Sequence, residues 1–315
     1  MKLGQTSRRW CMGPHAWLSV AFLAAALLLA AAARSAGAQG SSSADIGAGF
    51  TGTGTYLMPP KSAGPPPPGI GPMYRASAIV TGTDMRQRPW GFARCLREVL
   101  IKVSADPRLE NDPRTARLAK HADRFVAYFS YVDLMAADPL HDEQGTYDRP
   151  YRLTVYFDPV RIDAALAAFG ERPWRGVRPA IVPVLRVTGP KPPPYVLSAE
   201  IAVGAAQRGA FAVAAGEFGM TVRFPTKAEL AAWGVSATHF PSSTAQAPPN
   251  RSPGEMDVVG TLEWSESLPG WIGRWRADWN GTPYRWGVKG VNYDAAFRDI
   301  VSGVVLLASG RGSPD

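Results

Sequence analysis

Cysteine and histidine, which build disulfides and most transition-metal sites, are scarce in this chain. Its 315 residues include two cysteines and four histidines. Cys11 precedes an N-terminal apolar run, so the chain beyond that run keeps Cys95 alone and can form no intramolecular disulfide. No two histidines have the H-x-x-x-H spacing, and H-E-x-x-H is absent. We therefore predict no metal ligands and expect buried apolar side chains to provide the stability.

Signatures of catalytic and cofactor sites are also missing. The chain has no G-x-S-x-G element, no phosphate-binding loop and no G-x-G-x-x-G after a predicted strand. We therefore predict no catalytic residue and no cofactor, and expect a protein that is not an enzyme. A hydrolase with a site assembled from scattered residues stays open as an alternative, because a fold can bring distant side chains together.

The excess of positive charge is small. The formal net charge is +8, and four of the basic residues lie in the first 38 residues, where there is no acidic residue. Removal of that segment would halve the excess. Such a balance is typical of a solvated surface, and we expect no nucleic-acid partner.

The N-terminus has the pattern of a secretory signal peptide. A basic start precedes an apolar run from Ala16 to Ala33, and Ala36-Gly37-Ala38 is a small-residue cleavage site. We expect residues 1–38 to be removed before Gln39, which leaves a periplasmic protein without a stable membrane span. An uncleaved inner-membrane anchor is the alternative, because a run of this length can just cross a bilayer. Arg8-Arg9 leaves both general and twin-arginine export open.

Composition and hydrophobic periodicity divide the rest of the chain into a tether and two folded parts. We predict an α+β fold class with two small mixed α/β domains, the second containing an antiparallel meander covered by helices. The predicted boundaries are a disordered Gly/Ser/Pro-rich tether at 39–72, a β-α-α-β-β-α domain at 73–172, a joint at 173–179, and a second α/β domain at 180–309 with a mobile insertion at 236–255.

Three short motifs predict where helices begin. Asp112-Pro113 and Asp158-Pro159 each place an acidic N-cap before a proline at the first helical position. Thr226 followed by Glu229 is a capping box.

The stretch "WIGRWRADWNGTPYRW", residues 271–286, holds four tryptophans. Asn280-Gly281 predicts a two-residue hairpin turn, because both positions of that turn need φ above zero. The turn sets the register, which pairs Trp275 with Trp286 and places these rings on one sheet face. The preceding strand continues the meander and pairs Trp264 with Trp271.

We expect helices to cover the tryptophan face, so that its rings form a core. Trp271 and Trp279 lie at the ends of their strand and are expected to remain partly exposed. A glycan-binding module is the alternative, and it requires an exposed ring at Trp271, Trp275 or Trp286.

The opposite face of the same hairpin is basic. We predict that it is a contact surface for a partner protein of the cell envelope. The predicted contact residues are Arg274, Arg276, Arg285 and Lys289.

Several longer stretches resemble the bacterial domain-of-unknown-function family 2066. They are "LREVLIKVSADPRLENDP", "YRLTVYFDPVRIDAALAAFGERPW", "RPAIVPVLRV" and "WRADWNGTPYRWGVKGVNYDAAFRDIVSGV", within residues 73–308. The resemblance implies an exported envelope protein without an established activity, and it supplies no catalytic residues to carry over. These observations together predict a non-enzymatic accessory or adaptor protein of the cell envelope.

Overall fold

The computed structural model describes residues 65–136, 149–191, 193–241 and 254–314. These ranges all belong to the unit Tyr56–Asp315 and can be described together. The predicted signal peptide, most of the predicted tether and the central part of the predicted insertion, residues 242–253, lie outside them. None of the helices in the described ranges is both long and apolar enough to cross a membrane.

The first sheet contains three antiparallel strands, β1 (Arg75–Thr81), β2 (Val126–Asp133) and β3 (Pro150–Phe157). Their order in the sheet is β1-β3-β2. One face packs against the apolar side of the longest helix of this half, where Phe92 meets Phe129 edge-on with ring centroids 5.2 Å apart. Cys95 lies on the same side of that helix and is fully buried, and burial raises the pKa of its thiol. The helices of this half are α1 (Arg88–Ser104), α2 (Pro113–Ala119) and α3 (Pro159–Ala168).

The second sheet contains six strands: β4 (Ala180–Thr188), β5 (Tyr195–Val196), β6 (Thr221–Val222), β7 (Glu255–Ser265), β8 (Gly270–Trp279) and β9 (Thr282–Val291). Five of them follow the order β5-β4-β7-β8-β9, and the sixth, β6, pairs with β4. Strand β4 runs parallel to β6 and β7, whereas β7, β8 and β9 form an antiparallel meander. The combination of an antiparallel sheet, a mixed sheet and packed helices makes the fold α+β, as predicted.

Three helices belong to the second sheet: α4 (Ala205–Glu217), α5 (Lys227–Ala232) and α6 (Tyr293–Ser309). The apolar sides of α4 and α6 share one core with the inner faces of both sheets. Helix α5 lies over the other face of the second sheet, where Leu230 joins a smaller apolar cluster with Val184 and Val259. The predicted helix starts are confirmed, because Asp112, Asp158 and Thr226 all accept backbone hydrogen bonds at N-caps.

The tryptophan stretch is a hairpin, as predicted. Asn280 and Gly281 have φ of 51° and 78°, and Trp275 pairs with Trp286 across the turn. The expected pairing of Trp264 with Trp271 is also present. The rings of Trp275 and Trp286 are buried beneath α6, where Asp299 accepts a hydrogen bond from each indole, one at its carboxylate and one at its backbone carbonyl.

Glycines make the room that these rings need. A Cβ at Gly260 would lie 2.5 Å from Cε3 of Trp275, and a Cβ at Gly273 would overlap the same ring. On α6, a Cβ at Gly303 would lie 2.6 Å from Cε2 of Trp286. Neither strand nor helix could carry a larger residue at these positions without displacing a buried indole.

Charged side chains connect the two halves of the described structure. Arg178 donates to the carbonyl oxygen of Lys102 at 2.8 Å and to that of Phe218 at 3.0 Å, so one guanidinium joins the C-terminal ends of α1 and α4. Burial lowers the pKa of Arg178 to about 10. Arg298 on α6 binds Glu110 of the first half at 3.0 Å.

Candidate functional site

The predicted contact residues lie on the face of the second sheet that points away from α6. Strand side chains alternate between the two faces, which sets Arg274 and Arg285 on the side opposite Trp275. Arg274, Arg285 and Lys289 are exposed. The structure therefore brings three of the four predicted cations together on an open surface of β8 and β9.

Arg276 requires a correction, because only 7 % of its surface is exposed. It lies opposite Val259, which belongs to the apolar cluster beneath α5, so this part of the outer face is covered. Its Nη2 donates to both carboxylate oxygens of Asp278, at 3.1 and 3.2 Å. Its Nε and Nη1 are buried and have no hydrogen-bond partner among the described residues. The buried guanidinium adds positive charge to the site but is not a free contact residue.

The sequence reading missed Arg186, which lies on β4 and extends this face across the sheet. Arg186 and Arg274 each donate to a different oxygen of Glu263, at 3.3 and 3.2 Å. The guanidinium of Arg186 also lies 5.6 Å from the centroid of the Phe240 ring. A charged residue in the otherwise apolar run "AIVPVLRV" was the available signal. We call Arg186, Arg274, Arg276, Arg285 and Lys289 the basic sheet face.

A pocket of about 350 Å³ opens on the basic sheet face beside Phe240 and Pro241. Arg186 and Arg274 line it together with Thr261. Within the described ranges, only Glu263 and Asp278 form ion pairs with the five cations, and Arg285 and Lys289 have no acidic partner there. This surface is suited to an anionic group.

The tryptophan rings that a glycan-binding module would need to expose are not accessible. Trp271, Trp275 and Trp286 are all buried, so the expectation that Trp271 remains partly exposed is wrong. Trp264 packs edge-on against Trp271, with ring centroids 5.6 Å apart, and covers the end of the sheet at which Trp271 lies. Trp279 is half-buried, as expected. This face therefore gives no support to glycan stacking.

A second cleft, of about 500 Å³, lies between α1, α4 and α6. Its acidic residue Glu98 has a pKa raised by burial, and it binds Lys102 at 3.0 Å. Glu110 and Glu217, also in the wall, both bind Arg298. The acids most suited to general acid–base chemistry are thus held in ion pairs, and the hydrolase alternative gains no specific support from this cleft.

In the part of the chain that the structure describes, histidines and acids do not converge on a metal site. Within the described ranges, no group of three or more His, Cys, Asp or Glu residues is placed to hold an ion. His239 lies in a turn in which its Nδ1 is 3.1 Å from the hydroxyl of Thr238. His141 lies outside the described residues.

The fold and site define an α+β protein with a basic sheet face and buried tryptophans. Residues 70–175 match the family model described as "Domain of unknown function (DUF8605)". The predicted resemblance to the domain-of-unknown-function family 2066 is therefore wrong, since the matching family is a different one. The match covers the first sheet with α1, α2 and α3, and ends before the basic sheet face begins. No curated protein and no solved structure matches the chain.

Proposed function

We propose that this protein is an exported, non-enzymatic accessory or adaptor of the cell envelope that binds an anionic partner protein through the basic sheet face. The observation that carries the proposal is the joint exposure of Arg274, Arg285 and Lys289 on neighbouring strands. A rigid sheet backed by a helix holds these cations at fixed spacing, so they are ready for a complementary set of carboxylates.

Export is the second part of the proposal, and its support is in the sequence. The basic start, the apolar run and the Ala36-Gly37-Ala38 site form the pattern of a cleavable signal. An exported chain meets envelope proteins rather than nucleic acid, which favours a protein as the owner of the anionic surface.

The proposal can be tested by site-specific photo-crosslinking of the full chain in the native bacterium. A benzophenone amino acid replaces Pro283, an exposed residue of β9 on the same face as Arg285, and the matched control replaces the exposed Ala116 on α2. We expect a covalent adduct at position 283 whose partner segment, read by mass spectrometry, has an excess of Asp and Glu. The adduct should disappear when the same chain carries Arg285→Glu and Lys289→Glu.

A second charge reversal controls for net charge. Arg117→Glu and Lys120→Glu change two exposed cations on or next to α2, away from the second sheet. This double variant should retain the adduct at position 283. An adduct that survives reversal of Arg285 and Lys289, or that forms equally at Ala116, would refute binding through the basic sheet face.

A further inference from the structure

Among the strands that the structure describes, β9 forms one edge of the second sheet and pairs with β8 alone. It is ten residues long, which makes it the longest edge strand in the described ranges. No backbone hydrogen bond from the described residues reaches its outer side. An exposed edge of this length is a template for another extended chain.

The hairpin register identifies the backbone groups that face outward. In a two-residue hairpin, Trp279 and Thr282 next to the turn form a hydrogen-bonded pair, and the bonded positions then alternate along the ladder. The N–H and C=O groups of Arg285, Gly287 and Lys289 consequently point away from β8. Pro283 has the same parity and has no N–H to donate, which agrees with its place on an open edge.

The two ends of β9 are blunted, but its middle is not. Pro283 interrupts the edge beside the hairpin turn, and Gly290, with φ of 70°, lies where the register with β8 shifts. Between them, residues 285–289 remain regularly paired with β8, and the three whose backbone groups point outward, Arg285, Gly287 and Lys289, are exposed. This window can accept about five residues of an added strand, since strand residues pair one to one.

The side chains around the window specify the added strand. Arg285 and Lys289 project to the outer face, while Tyr284 and Val288 lie half-buried on the inner face. A strand paired here would alternate in the same way, with one set of side chains beside the cations and the other beside apolar groups. Acidic and apolar residues in alternation fit both sides.

Pairing with a second copy of β9 is disfavoured by charge. Two β9 strands joined edge to edge about a twofold axis normal to the sheet would place both basic faces on the same side. In the register centred on Gly287, Arg285 of each copy would lie opposite Lys289 of the other. Like charges directly opposite each other destabilise a strand pair.

We propose that β9 binds an extended peptide segment with alternating acidic and apolar residues, which adds to the sheet as a new edge strand over residues 285–289. This inference rests on the proposed function and specifies how the partner is held. Backbone hydrogen bonds to Arg285, Gly287 and Lys289 supply affinity, and the acidic side chains beside the cations select the partner.

The test uses a short synthetic peptide that alternates glutamate and valine as the probe. On adding the peptide to the mature chain, amide hydrogen exchange of Arg285, Gly287 and Lys289 should slow by about tenfold or more at saturation. A peptide of the same sequence, N-methylated on the residues that would donate to β9, should bind about tenfold more weakly, as expected for a loss of roughly 1.4 kcal/mol. Arg285→Glu with Lys289→Glu should abolish binding, while Arg117→Glu with Lys120→Glu should not.

Each contrary result has a distinct meaning. Equal binding of both peptides, without protection of the three amides, would overturn strand addition and leave anion binding by the basic sheet face intact. Failure of the acidic peptide to bind the mature chain would also overturn the inference, while the photo-crosslinking at position 283 judges the proposed function independently. A dimer in sedimentation equilibrium with these amides protected before any peptide is added would assign the edge to self-association and overturn it as well.

Discussion

The indole Nε1 of Trp275 donates a 2.8 Å hydrogen bond to Oδ2 of Asp299, which connects the centre of β8 to the middle of α6. The backbone carbonyl of the same aspartate accepts from Trp286, the cross-strand neighbour of Trp275, at 3.2 Å. A single residue of the last helix therefore positions both rings. The polar end of each indole is satisfied while its apolar body fills the core.

Removal of the Trp275 ring should destabilise the folded protein. Trp275 is 2 % exposed, and we expect Trp275→Ala to lower the free energy of unfolding by about 3–5 kcal/mol. The matched control is Arg274→Ala, one residue away on the exposed face, where the loss should stay within about 1 kcal/mol. Urea unfolding followed by tryptophan fluorescence measures both. Equal stability of the two variants would contradict a core role for Trp275.

The same substitution should have opposite effects on two helices. Gly303→Ala in α6 would drive a methyl group into the ring of Trp286, at a cost of about 1–3 kcal/mol. Gly209→Ala in α4 meets nothing within 4 Å, so it should stabilise the protein by about 1 kcal/mol through helix propensity. Thermal unfolding of both variants beside the wild type gives the comparison. A stabilised Gly303→Ala protein would show that the ring can move aside.

Asp299 should make stability depend on pH in a defined direction. Burial raises its pKa, and the hydrogen bond from Trp275 opposes that shift only in part. The native state then holds its proton to higher pH than the unfolded state, so the free energy of unfolding falls as pH rises from the ordinary aspartate pKa through the native one. Asn at this position keeps an oxygen acceptor for Trp275 and has no charge to bury.

We therefore expect Asp299→Asn to gain stability relative to the wild type as pH is raised from about 3 to 7, a range that spans the ordinary aspartate pKa. The quantity to compare is the difference between the two unfolding free energies at each pH, in which other titrating groups cancel. A difference that shrinks with rising pH would mean that the carboxylate is better stabilised in the native state than in the unfolded chain.

Export predicts a specific N-terminus. Protein isolated from the periplasm should have an intact mass that begins at Gln39, because Ala36-Gly37-Ala38 is the cleavage site. Ala38→Pro should block cleavage, and Ala31→Pro, inside the apolar run, should impair export itself. Recovery of the full-length wild-type chain from the inner membrane would instead support the uncleaved anchor.

Local chemistry made part of this fold predictable. Asn280-Gly281 determines a turn, the turn determines the register, and the register determines which face holds Trp275 and which holds Arg274. Helix starts at Asp112 and Asp158 follow for the same reason, because an N-cap acts within a few residues of itself.

Features that depend on distant parts of the chain were not predictable in this way. Alternation correctly places Arg276 on the outer face but cannot show that α5 and its neighbouring segment cover that position. The parallel pairing of β4 with β7 and the contribution of Arg186 to the basic sheet face depend on strands that are far apart in the sequence. Tertiary packing decides which strands pair and which side chains are covered, and hydrophobic periodicity does not encode it.

Helix α6 follows the strands that it covers, and this order affects how the protein can be made and moved. The tryptophan face of β8 and β9 has no cover until Tyr293–Ser309 has left the ribosome, and β4 must wait for β7 before its parallel partner exists. A nascent chain therefore cannot complete the second sheet and its cover before β7, β8, β9 and α6 have all been synthesised. For a protein exported as proposed, this delay would favour passage through a translocation channel that accepts only unfolded polypeptide, and would leave folding to begin on the far side of the membrane.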